Sequence, residues 1–221
     1  MSFLRSKGIV IKETSTGEAD RIVTIFTNNR GKIAAVAKGS KRPKNKLAAG
    51  TQFLCYSDFV LFKGNELYTI NTCDIIEAFY ELRNDIVRLT YAAHMTDIVN
   101  DVIQEDQSSP KVLQLFLNTL YMLSKTQKSP ELVTRIFEIR LLSMLGYAPY
   151  VSACIQCGSE KLENVSFGFE KCGFLCDNCK PMDKSAMKIS TGTAKALYYI
   201  VHSRLKDLFK FDLSPQVLQE L

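Results

Sequence analysis

The first eighty residues alternate short apolar runs with polar turns, which is the pattern of a small β structure. β-Branched, aliphatic and aromatic residues predict strands at 6–13, 21–27, 32–38, within 51–63, and at 67–71. Turns are predicted between them at 14–20, 28–31 and 64–65. Five short strands predict a barrel or a sandwich. A five-stranded OB-type barrel is favoured, because closure removes the unpaired strand edges.

From about residue 80 the hydrophobic period lengthens to that of helices. The pattern predicts helices at 85–103, 111–124, 131–145 and 190–211, and a short last one ending at Leu221. The first of these is expected to be buried over much of its surface, with His94 as a core residue. We therefore predict an α+β chain with an OB-fold domain over 1–80 and a helical domain over 81–221.

Serine–proline pairs mark the beginnings of several of these helices. Serine suits the capping position and proline the first helical position, as at Ser109–Pro110, Ser129–Pro130 and Ser214–Pro215. Gly146 is typical of a residue that ends a helix.

Residues 30–46 carry seven cations and no acidic residue. Ile33, Ala35 and Ala37 fall on one face of the strand in this segment, and the following residues, 39–50, predict a mobile loop with too few apolar residues to pack. A cationic loop beside a strand suits a polyanionic backbone, whereas the alternative is a solvated charge run. The candidate binding residues are Arg30, Lys32, Lys38, Lys41, Arg42, Lys44 and Lys46.

The distribution of charge favours a phosphate-binding face. Residues 1–80 hold 12 Lys+Arg against 7 Asp+Glu, while residues 81–221 hold 16 of each, so the net charge of +5 belongs to the N-terminal part. OB-type barrels bind nucleic acid through cationic contacts and base stacking. Aromatic residues that could stack on bases, although most should lie in the core, are Phe53, Tyr56, Phe59, Phe62 and Tyr68.

The composition bounds the class of protein. A chain of 221 residues, 46% of them hydrophobic, can fold as one large domain or two small ones. The first residues lack an apolar stretch of signal-peptide length, and no run approaches the ~20 apolar residues that span a bilayer. We therefore expect a cytoplasmic protein. Seven cysteines in a reducing compartment favour metal binding over disulfides.

Two Cys-x-x-Cys pairs give the sharpest chemical signal. Cys154 and Cys157 are separated by eighteen residues from Cys176 and Cys179, a spacing that predicts a tetrahedral Zn²⁺ site in a module at 150–182, inserted in the helical domain. Four thiolates leave no open position, so this zinc would be structural. Cys172 is close enough to replace a ligand but is predicted to be free. The alternative is a reduced thiol cluster without metal.

The sequence contains no phosphate-cradling glycine loop, hydrolase metal motif or nucleophile elbow, which favours a binding protein over an enzyme. An alternative is a zinc-ribbon accessory factor of transcription or translation whose cysteine module contacts nucleic acid. That module is net acidic, with two lysines (Lys161, Lys171) against four acids (Glu160, Glu163, Glu170, Asp177). A metal-dependent nuclease is a second alternative, and it requires carboxylates that cluster in space.

The order of these features is similar to that of the RecO family of bacterial DNA repair proteins. The segments that carry the resemblance are GKIAAVAKGSKRPKNKLAAG, RIFEIRLLSMLGYAP, the Cys-x-x-Cys-Gly motif and GFLCDNC, and it extends over nearly the whole chain. It implies an N-terminal OB-fold, a helical domain and a zinc module. It also implies binding of single- and double-stranded DNA and strand annealing in the RecFOR pathway of recombination after DNA damage.

The same resemblance implies protein partners. These are RecR and the single-stranded-DNA-binding protein, so that RecA can load on coated DNA. The acidic, Phe-ended C-terminal tail of the latter is expected on the helical domain, where Arg135 and Arg140 lie among apolar residues. The alternative is that both arginines pair with Glu131 or Glu138. The family often has a small residue at the place of Cys172 and usually continues beyond Leu221, so the last helix is expected to be incomplete.

Overall fold

The computed structural model describes residues 3–64, 67–160 and 164–221. The predicted turn at 64–65 extends outside them at Asn65, as do two charges counted in the cysteine module, Lys161 and Glu163. Contacts divide the chain into two compact units, Met1–Thr126 and Gln127–Leu221, called here the first and second unit. Within the described residues, no helix combines the length and the apolar character that crossing a membrane requires.

Five strands of the first unit close into a barrel in the spatial order β1–β2–β3–β5–β4, with β4 pairing back to β1. The strands are β1 (Phe3–Thr16), β2 (Asp20–Thr27), β3 (Gly31–Ala37), β4 (Tyr56–Lys63) and β5 (Tyr68–Glu77). Neighbours are antiparallel except β3 and β5, which pair in parallel at Ala35–Tyr68 and Val36–Thr69. This closed order confirms the predicted OB-like barrel.

The barrel interior is filled by one face of each strand, because successive side chains point to opposite sides of a sheet. In β3, Ile33, Ala35 and Ala37 are buried, while Ala34 and Val36 are half-buried, as the sequence predicts. The buried apolar cluster of the barrel consists of Val10, Val23, Ile25, Ile33, Ala35, Ala37, Leu47, Phe59, Leu61 and Ile70.

The connection between β3 and β4 is packed at its far end. It contains a short helix, α1 (Leu47–Gly50), and Leu47 joins the barrel core. Ser40 is also buried. The prediction that this connection has too few apolar residues to pack was therefore wrong, since one leucine suffices to anchor it. The part that carries the lysines, residues 38–46, is called here the cationic loop.

Three helices complete the first unit: α2 (Tyr80–Arg83), α3 (Ile86–Val102) and α4 (Pro110–Lys125). Asp85 caps α3, because its carboxylate accepts hydrogen bonds from the N–H groups of Val87 and Arg88. The expectation that α3 is buried over much of its surface was wrong. Ile86 and Val87 are exposed, and so is His94. The buried residues of α3 form a single stripe of Ala92, Met95, Thr96 and Val99.

The second unit combines helices with a small sheet. Its helices are α5 (Pro130–Met144), α6 (Thr191–His202) and α7 (Pro215–Glu220). Three short strands that the sequence did not predict, β6 (Val165–Gly168), β7 (Gly173–Leu175) and β8 (Met187–Ile189), pair antiparallel in the order β7–β6–β8. The serine hydroxyls of Ser129 and Ser214 cap α5 and α7 as predicted, whereas Ser109 at α4 makes no capping bond with its side chain.

Helix α6 is shorter than the predicted helix at 190–211. It ends at His202, and Ser203 is extended with ψ of 154°. The following segment folds back, because the Tyr199 hydroxyl donates to the Asp207 carbonyl at 2.7 Å. This turn buries Leu208 and Phe209, which a continued helix would place farther along its axis.

Candidate functional site

The cationic loop presents five exposed cations in nine residues: Lys38, Lys41, Arg42, Lys44 and Lys46. Its backbone is held by the turn between β1 and β2. The Lys41 N–H donates to the Ala19 carbonyl at 2.9 Å, and the Gly39 N–H donates to the Asp20 carboxylate at 2.7 Å. The side chains thus project from a backbone that is fixed near its start.

The side chain of Asn45 links the beginning of the cationic loop to the residue that follows its end. Its amide donates to the Lys38 carbonyl at 3.2 Å and its side-chain oxygen accepts the Leu47 N–H at 2.8 Å. Gly39 has φ of +67°, and a Cβ there would lie 2.6 Å from the Asn45 amide nitrogen. A residue other than glycine would therefore disturb both the left-handed turn and this closure.

Arg30 and Lys32 lie at the opposite end of β3 from the cationic loop. The seven residues of β3 place the two ends about 20 Å apart. Arg30 pairs with Asp106 at 3.5 Å, and the Lys32 ammonium donates to the Asn100 carbonyl at 2.6 Å. The seven predicted DNA-binding residues are therefore not one cluster, since two of them contact the α3–α4 region.

The aromatic candidates for base stacking differ in exposure. Phe59 is fully buried in the barrel core, so it cannot meet a base. Phe53, Tyr56, Phe62 and Tyr68 are half-buried. Phe62 packs edge-on against Phe3, with ring centroids 5.6 Å apart.

The four predicted metal ligands come together in the second unit. The sulfurs of Cys154, Cys157, Cys176 and Cys179 all lie within 4.8 Å of one another, and those of Cys157 and Cys176 are 3.8 Å apart. Four sulfurs at about 2.3 Å from a tetrahedral zinc are separated by about 3.8 Å. This is the one group of three or more metal-ligating side chains found among residues 3–64, 67–160 and 164–221. The donor set and its spacing fit a four-thiolate metal ion.

Backbone N–H groups favour the thiolate form of Cys154. Burial raises the pKa of Cys154, but N–H donors from Cys176, Cys157 and Gln156 outweigh it and lower the pKa to about 6. Gly158, with φ of +75°, allows the turn in which its N–H donates to the Cys154 carbonyl at 2.8 Å. The turn thus places backbone N–H groups near Cys154, whereas burial and the neighbouring cysteines raise the pKa of Cys179 to about 12.

Cys172 stands apart from the cluster. It lies at the turn between β6 and β7 with φ of +53°, is exposed, and is not a member of the four-sulfur group. Cys55 and Cys73 of the first unit behave as core thiols, since burial raises the pKa of both, that of Cys73 to about 11.

Arg135 and Arg140 of α5 make different contacts. Arg135 is exposed and pairs with Glu138 at 3.1 Å. The Arg140 guanidinium donates to the carbonyls of Ile200 and Val201 in the last turn of α6, and desolvation lowers its pKa. Those carbonyls have no partner within the helix, so Arg140 acts as a C-terminal cap of α6.

The second unit contains an apolar pocket that the sequence did not predict. It has a volume of about 270 Å³ and is lined by α5, α6, α7 and the small sheet. Its α5 wall, Ile139 and Leu142, continues the helix face that begins at Arg135 one turn earlier. Tyr147 and Phe169, which are exposed at 71% and 59%, stand at its mouth. Aromatic residues in turns gave no periodic signal that could have revealed it.

Comparison with known proteins gives matches over nearly the whole chain. The family models described as Recombination protein O N terminal and Recombination protein O C terminal match residues 1–79 and 83–221. A DNA repair protein RecO of Acetivibrio thermocellus is 63% identical over 221 residues, which is 100% of this chain and 88% of that protein.

Two further relatives of the same name come from other bacteria. The protein of Alkaliphilus metalliredigens is 35% identical over 99% of this chain and 89% of its own length. The protein of Caldicellulosiruptor saccharolyticus is 36% identical over 97% of this chain and 86% of its own length.

Proposed function

The chain belongs to the recombination protein O (RecO) family, and from that membership we propose that it acts in DNA repair by binding DNA and annealing complementary strands. In this role it is a binding protein and not an enzyme, because annealing forms and breaks no covalent bond. Its DNA lies in the bacterial nucleoid, so we place its work in the cytoplasm.

The observation that carries this proposal is the cationic loop. Five exposed cations within nine residues, and no acidic residue among them, match the charge density of a phosphate backbone. Hydrogen bonds to the β1–β2 turn hold the base of the loop, so binding does not have to order all of its backbone. Both single and double strands present the same phosphates to such a loop.

Annealing then follows from charge neutralisation. Two DNA strands repel each other through their phosphates, and a cationic surface that binds both lowers this repulsion while their bases search for complements. Arg30 and Lys32 can contribute phosphate contacts at the far end of β3 once DNA displaces Asp106 and Asn100 from them.

We propose that the four-cysteine cluster holds a structural zinc ion. Cys154, Cys157, Cys176 and Cys179 would supply all four ligands, so the ion would bind no substrate. Its contribution would be to join the loop that follows α5 to the strand β7 and the turn after it. Without that link, three short strands would depend on a small apolar cluster alone.

We also propose that the second unit recruits protein partners, RecR and the single-stranded-DNA-binding protein. The apolar pocket, whose α5 wall lies on the same helix face as Arg135, suits the Phe-ended tail of the latter. The phenyl ring would fill the pocket while Arg135 meets an acidic side chain. Arg140 would support this surface from inside by capping α6. These contacts would bring coated DNA to the first unit and allow RecA to load.

A peptide assay tests the tail site. Arg135→Ala should weaken binding of a fluorescent tail peptide several-fold, whereas Arg204→Ala, which removes an exposed cation from the same unit, should not. Equal binding by both variants would remove Arg135 from the site.

The central experiment measures annealing of complementary oligonucleotides coated with single-stranded-DNA-binding protein, with labelled strands and Mg²⁺ present. Joining of intact strands is the expected result, and its rate should fall as salt rises. Shortened fragments would instead indicate a nuclease. Absence of both joining and salt-dependent DNA binding would refute the proposed function.

A further inference from the structure

A second cavity, in the first unit, lies where the cationic loop returns to the barrel. It has a volume of about 280 Å³, near the lower end of ligand-pocket sizes of about 300–1,000 Å³. Its walls come from distant parts of the chain: Arg21 of β2, Gln52 and Phe53 after α1, and Phe79 and Arg83 around α2. None of the loop cations lines it, so it is a separate site.

The chain leads from the loop to the cavity wall over a few residues. Helix α1 follows Lys46 directly, and its Ala48 carbonyl accepts a hydrogen bond from the Arg21 guanidinium at 3.3 Å. Gln52 lies six residues after Lys46 along a helical turn, a path of about 10 Å. A strand whose phosphates follow the loop therefore reaches the cavity within a short distance.

The polar groups of the cavity suit a base better than a phosphate. Arg83 already donates to the Phe53 carbonyl at 3.1 Å and to the Gln52 side chain. Arg21 is engaged with Ala48, and the carboxylate of Glu13 adds a negative charge to the lining. With much of the positive charge engaged or balanced, a neutral ring that accepts and donates hydrogen bonds is the better ligand.

Aromatic and guanidinium planes favour a flat ligand here. Phe53 is half-buried, so part of it remains accessible from the cavity. Arg83 lies over the ring of Tyr80 at 5.2 Å, which places a cation–π pair at the rim. Bases of single strands bind to such surfaces by stacking, without sequence preference.

The wall of the cavity has an unusual backbone. Leu54 and Phe79 both line it, and both adopt left-handed conformations, with φ of 63° and 46°. Hydrogen bonds hold them there, from the Leu54 N–H to the Val10 carbonyl at 2.9 Å and from the Phe79 N–H to the Glu77 carboxylate at 3.0 Å. The cavity is thus built into the closed barrel and does not have to form on binding.

We propose that this cavity receives one unstacked base of a single DNA strand while the cationic loop binds the adjacent phosphates. This inference rests on the proposed function. It adds a site that binds only single-stranded DNA, because a paired base in a duplex cannot leave its stack without a cost in free energy. Single and double strands would then share the loop but not the cavity.

The first test needs no variant. The full chain is titrated with fluorescent oligothymidylate and with an abasic oligonucleotide of the same length, which has the same phosphates and no bases. We expect about 5- to 150-fold tighter binding of oligothymidylate, since stacking of one base on an aromatic group has that effect. Equal affinity would overturn the cavity proposal, whereas no binding of either oligonucleotide would overturn the proposed function itself.

Two variants then locate the effect. Phe53→Leu keeps an apolar side chain but loses the aromatic face, and Arg83→Gln removes the guanidinium at an exposed position. Each should bring the affinity for oligothymidylate towards that for the abasic strand and leave duplex affinity unchanged. Circular dichroism verifies folding, and Phe53→Leu decides the matter if Arg83→Gln is unstable.

A charge-matched control separates this effect from loss of charge. Lys63→Ala removes a cation at the end of β4 that is farther from Phe53, and it should leave the preference for oligothymidylate intact. If the cavity variants weaken both oligonucleotides equally, the cavity contacts phosphate and the base proposal is wrong. If the Phe53→Leu variant keeps the full preference, the base binds elsewhere.

Discussion

Arg135 and Arg140 lie five residues apart on α5 and make different contacts. Arg135 pairs with Glu138 on the surface, whereas Arg140 bonds to the backbone of α6. Arg140→Ala should lower the free energy of unfolding by about 1–3 kcal/mol, because two carbonyls at the end of α6 lose their donor. Arg135→Ala should change it by about 0.5 kcal/mol or less, since an exposed pair three residues apart contributes little. Urea denaturation followed by circular dichroism measures both.

A conservative variant tests the capping explanation for Arg140. One guanidinium nitrogen of Arg140, Nη1, donates to the carbonyls of both Ile200 and Val201. Lysine keeps the charge, but its shorter side chain does not place an ammonium at the position of Nη1. Arg140→Lys should therefore lie between wild type and Arg140→Ala. If Arg140→Lys is as stable as wild type, charge near the helix end is sufficient and the two-carbonyl contact is unimportant.

Asp106 neutralises Arg30 at the far end of β3, so it competes with any phosphate there. Asp106→Asn should raise the affinity for single-stranded DNA at low salt by about 1.4- to fivefold, as expected for an exposed ion pair of about 0.2–1 kcal/mol. Filter binding across a salt series measures the change. Glu131→Gln, an equal charge change in the second unit, is the control, and an equal gain by both variants would mean that only net charge matters.

The cysteines provide a matched test of the metal site. We expect the wild type to retain zinc after dialysis and Cys157→Ser to lose it, because three thiolates hold the ion more weakly than four. Cys172→Ser removes a thiol outside the cluster and should retain it. Elemental analysis of purified protein gives the zinc content. Loss of zinc from Cys172→Ser would instead make Cys172 a ligand.

Chelation should also lower the stability of the folded chain. Structural zinc contributes about 10–16 kcal/mol in small zinc-finger peptides, so its removal should cost well over about 2 kcal/mol here. The same urea denaturation of the wild type, with and without a strong chelator, measures this loss. The Cys157→Ser variant should not respond to the chelator.

At the scale of elements, the cationic loop should determine the salt dependence of DNA binding. Changing Lys41, Arg42, Lys44 and Lys46 to alanine should reduce the slope of log K against log salt on duplex by up to ~3.6, because each phosphate contact contributes ~0.9. The control changes Lys184, Lys188, Lys195 and Lys206, four exposed lysines of the second unit, to alanine. An unchanged slope in the loop variant would exclude the loop as the phosphate site.

The sequence predicts elements whose signal is local. The alternation of Ile33, Ala35 and Ala37 predicts both the position and the buried face of β3, and the two Cys-x-x-Cys pairs predict the four-cysteine cluster. Helix α6 was predicted too long because its end depends on the contact from Tyr199 to Asp207, which periodicity does not contain.

Features that depend on distant residues could not be predicted in the same way. Arg30 was grouped with the loop lysines by proximity in sequence, yet its partner is 76 residues away. The cavity of the first unit is lined by residues that lie between positions 13 and 89 of the chain. Its two left-handed wall residues, Leu54 and Phe79, are not glycines, so the sequence does not indicate their conformation. Sites formed by residues that are close in sequence could therefore be predicted, whereas sites formed by tertiary contacts between distant residues could not.

In the whole molecule, the segment that holds the excess of cations is shorter than the first folded unit. The excess of cations belongs to residues 1–80, whereas residues 81–126 carry 4 Lys+Arg against 6 Asp+Glu and still fold with the barrel as one unit. The helices that complete the first unit thus moderate its positive charge. The charge of the cationic loop is not neutralised in this way, because Asp106 and Asn100 contact Arg30 and Lys32 at the other end of β3.

This arrangement predicts which fragment binds DNA by itself. The Lys32 N–H donates to the Gln104 carbonyl at 3.2 Å, and a Cβ on Gly31 would lie 2.3 Å from the Gln107 carbonyl, so the α3–α4 connection packs directly on the barrel. Residues 1–126 should therefore unfold cooperatively and keep the salt-dependent affinity for oligonucleotides.

Residues 1–80 alone should be less stable by several kcal/mol, because removing α3 and α4 exposes buried apolar surface at about 25 cal/mol per Å². Urea denaturation and filter binding of both fragments test this. Addition of the separate peptide 81–126 should restore stability if the missing contacts are the cause. Equal stability of the two fragments would show that the barrel folds independently and that these helices do not support it.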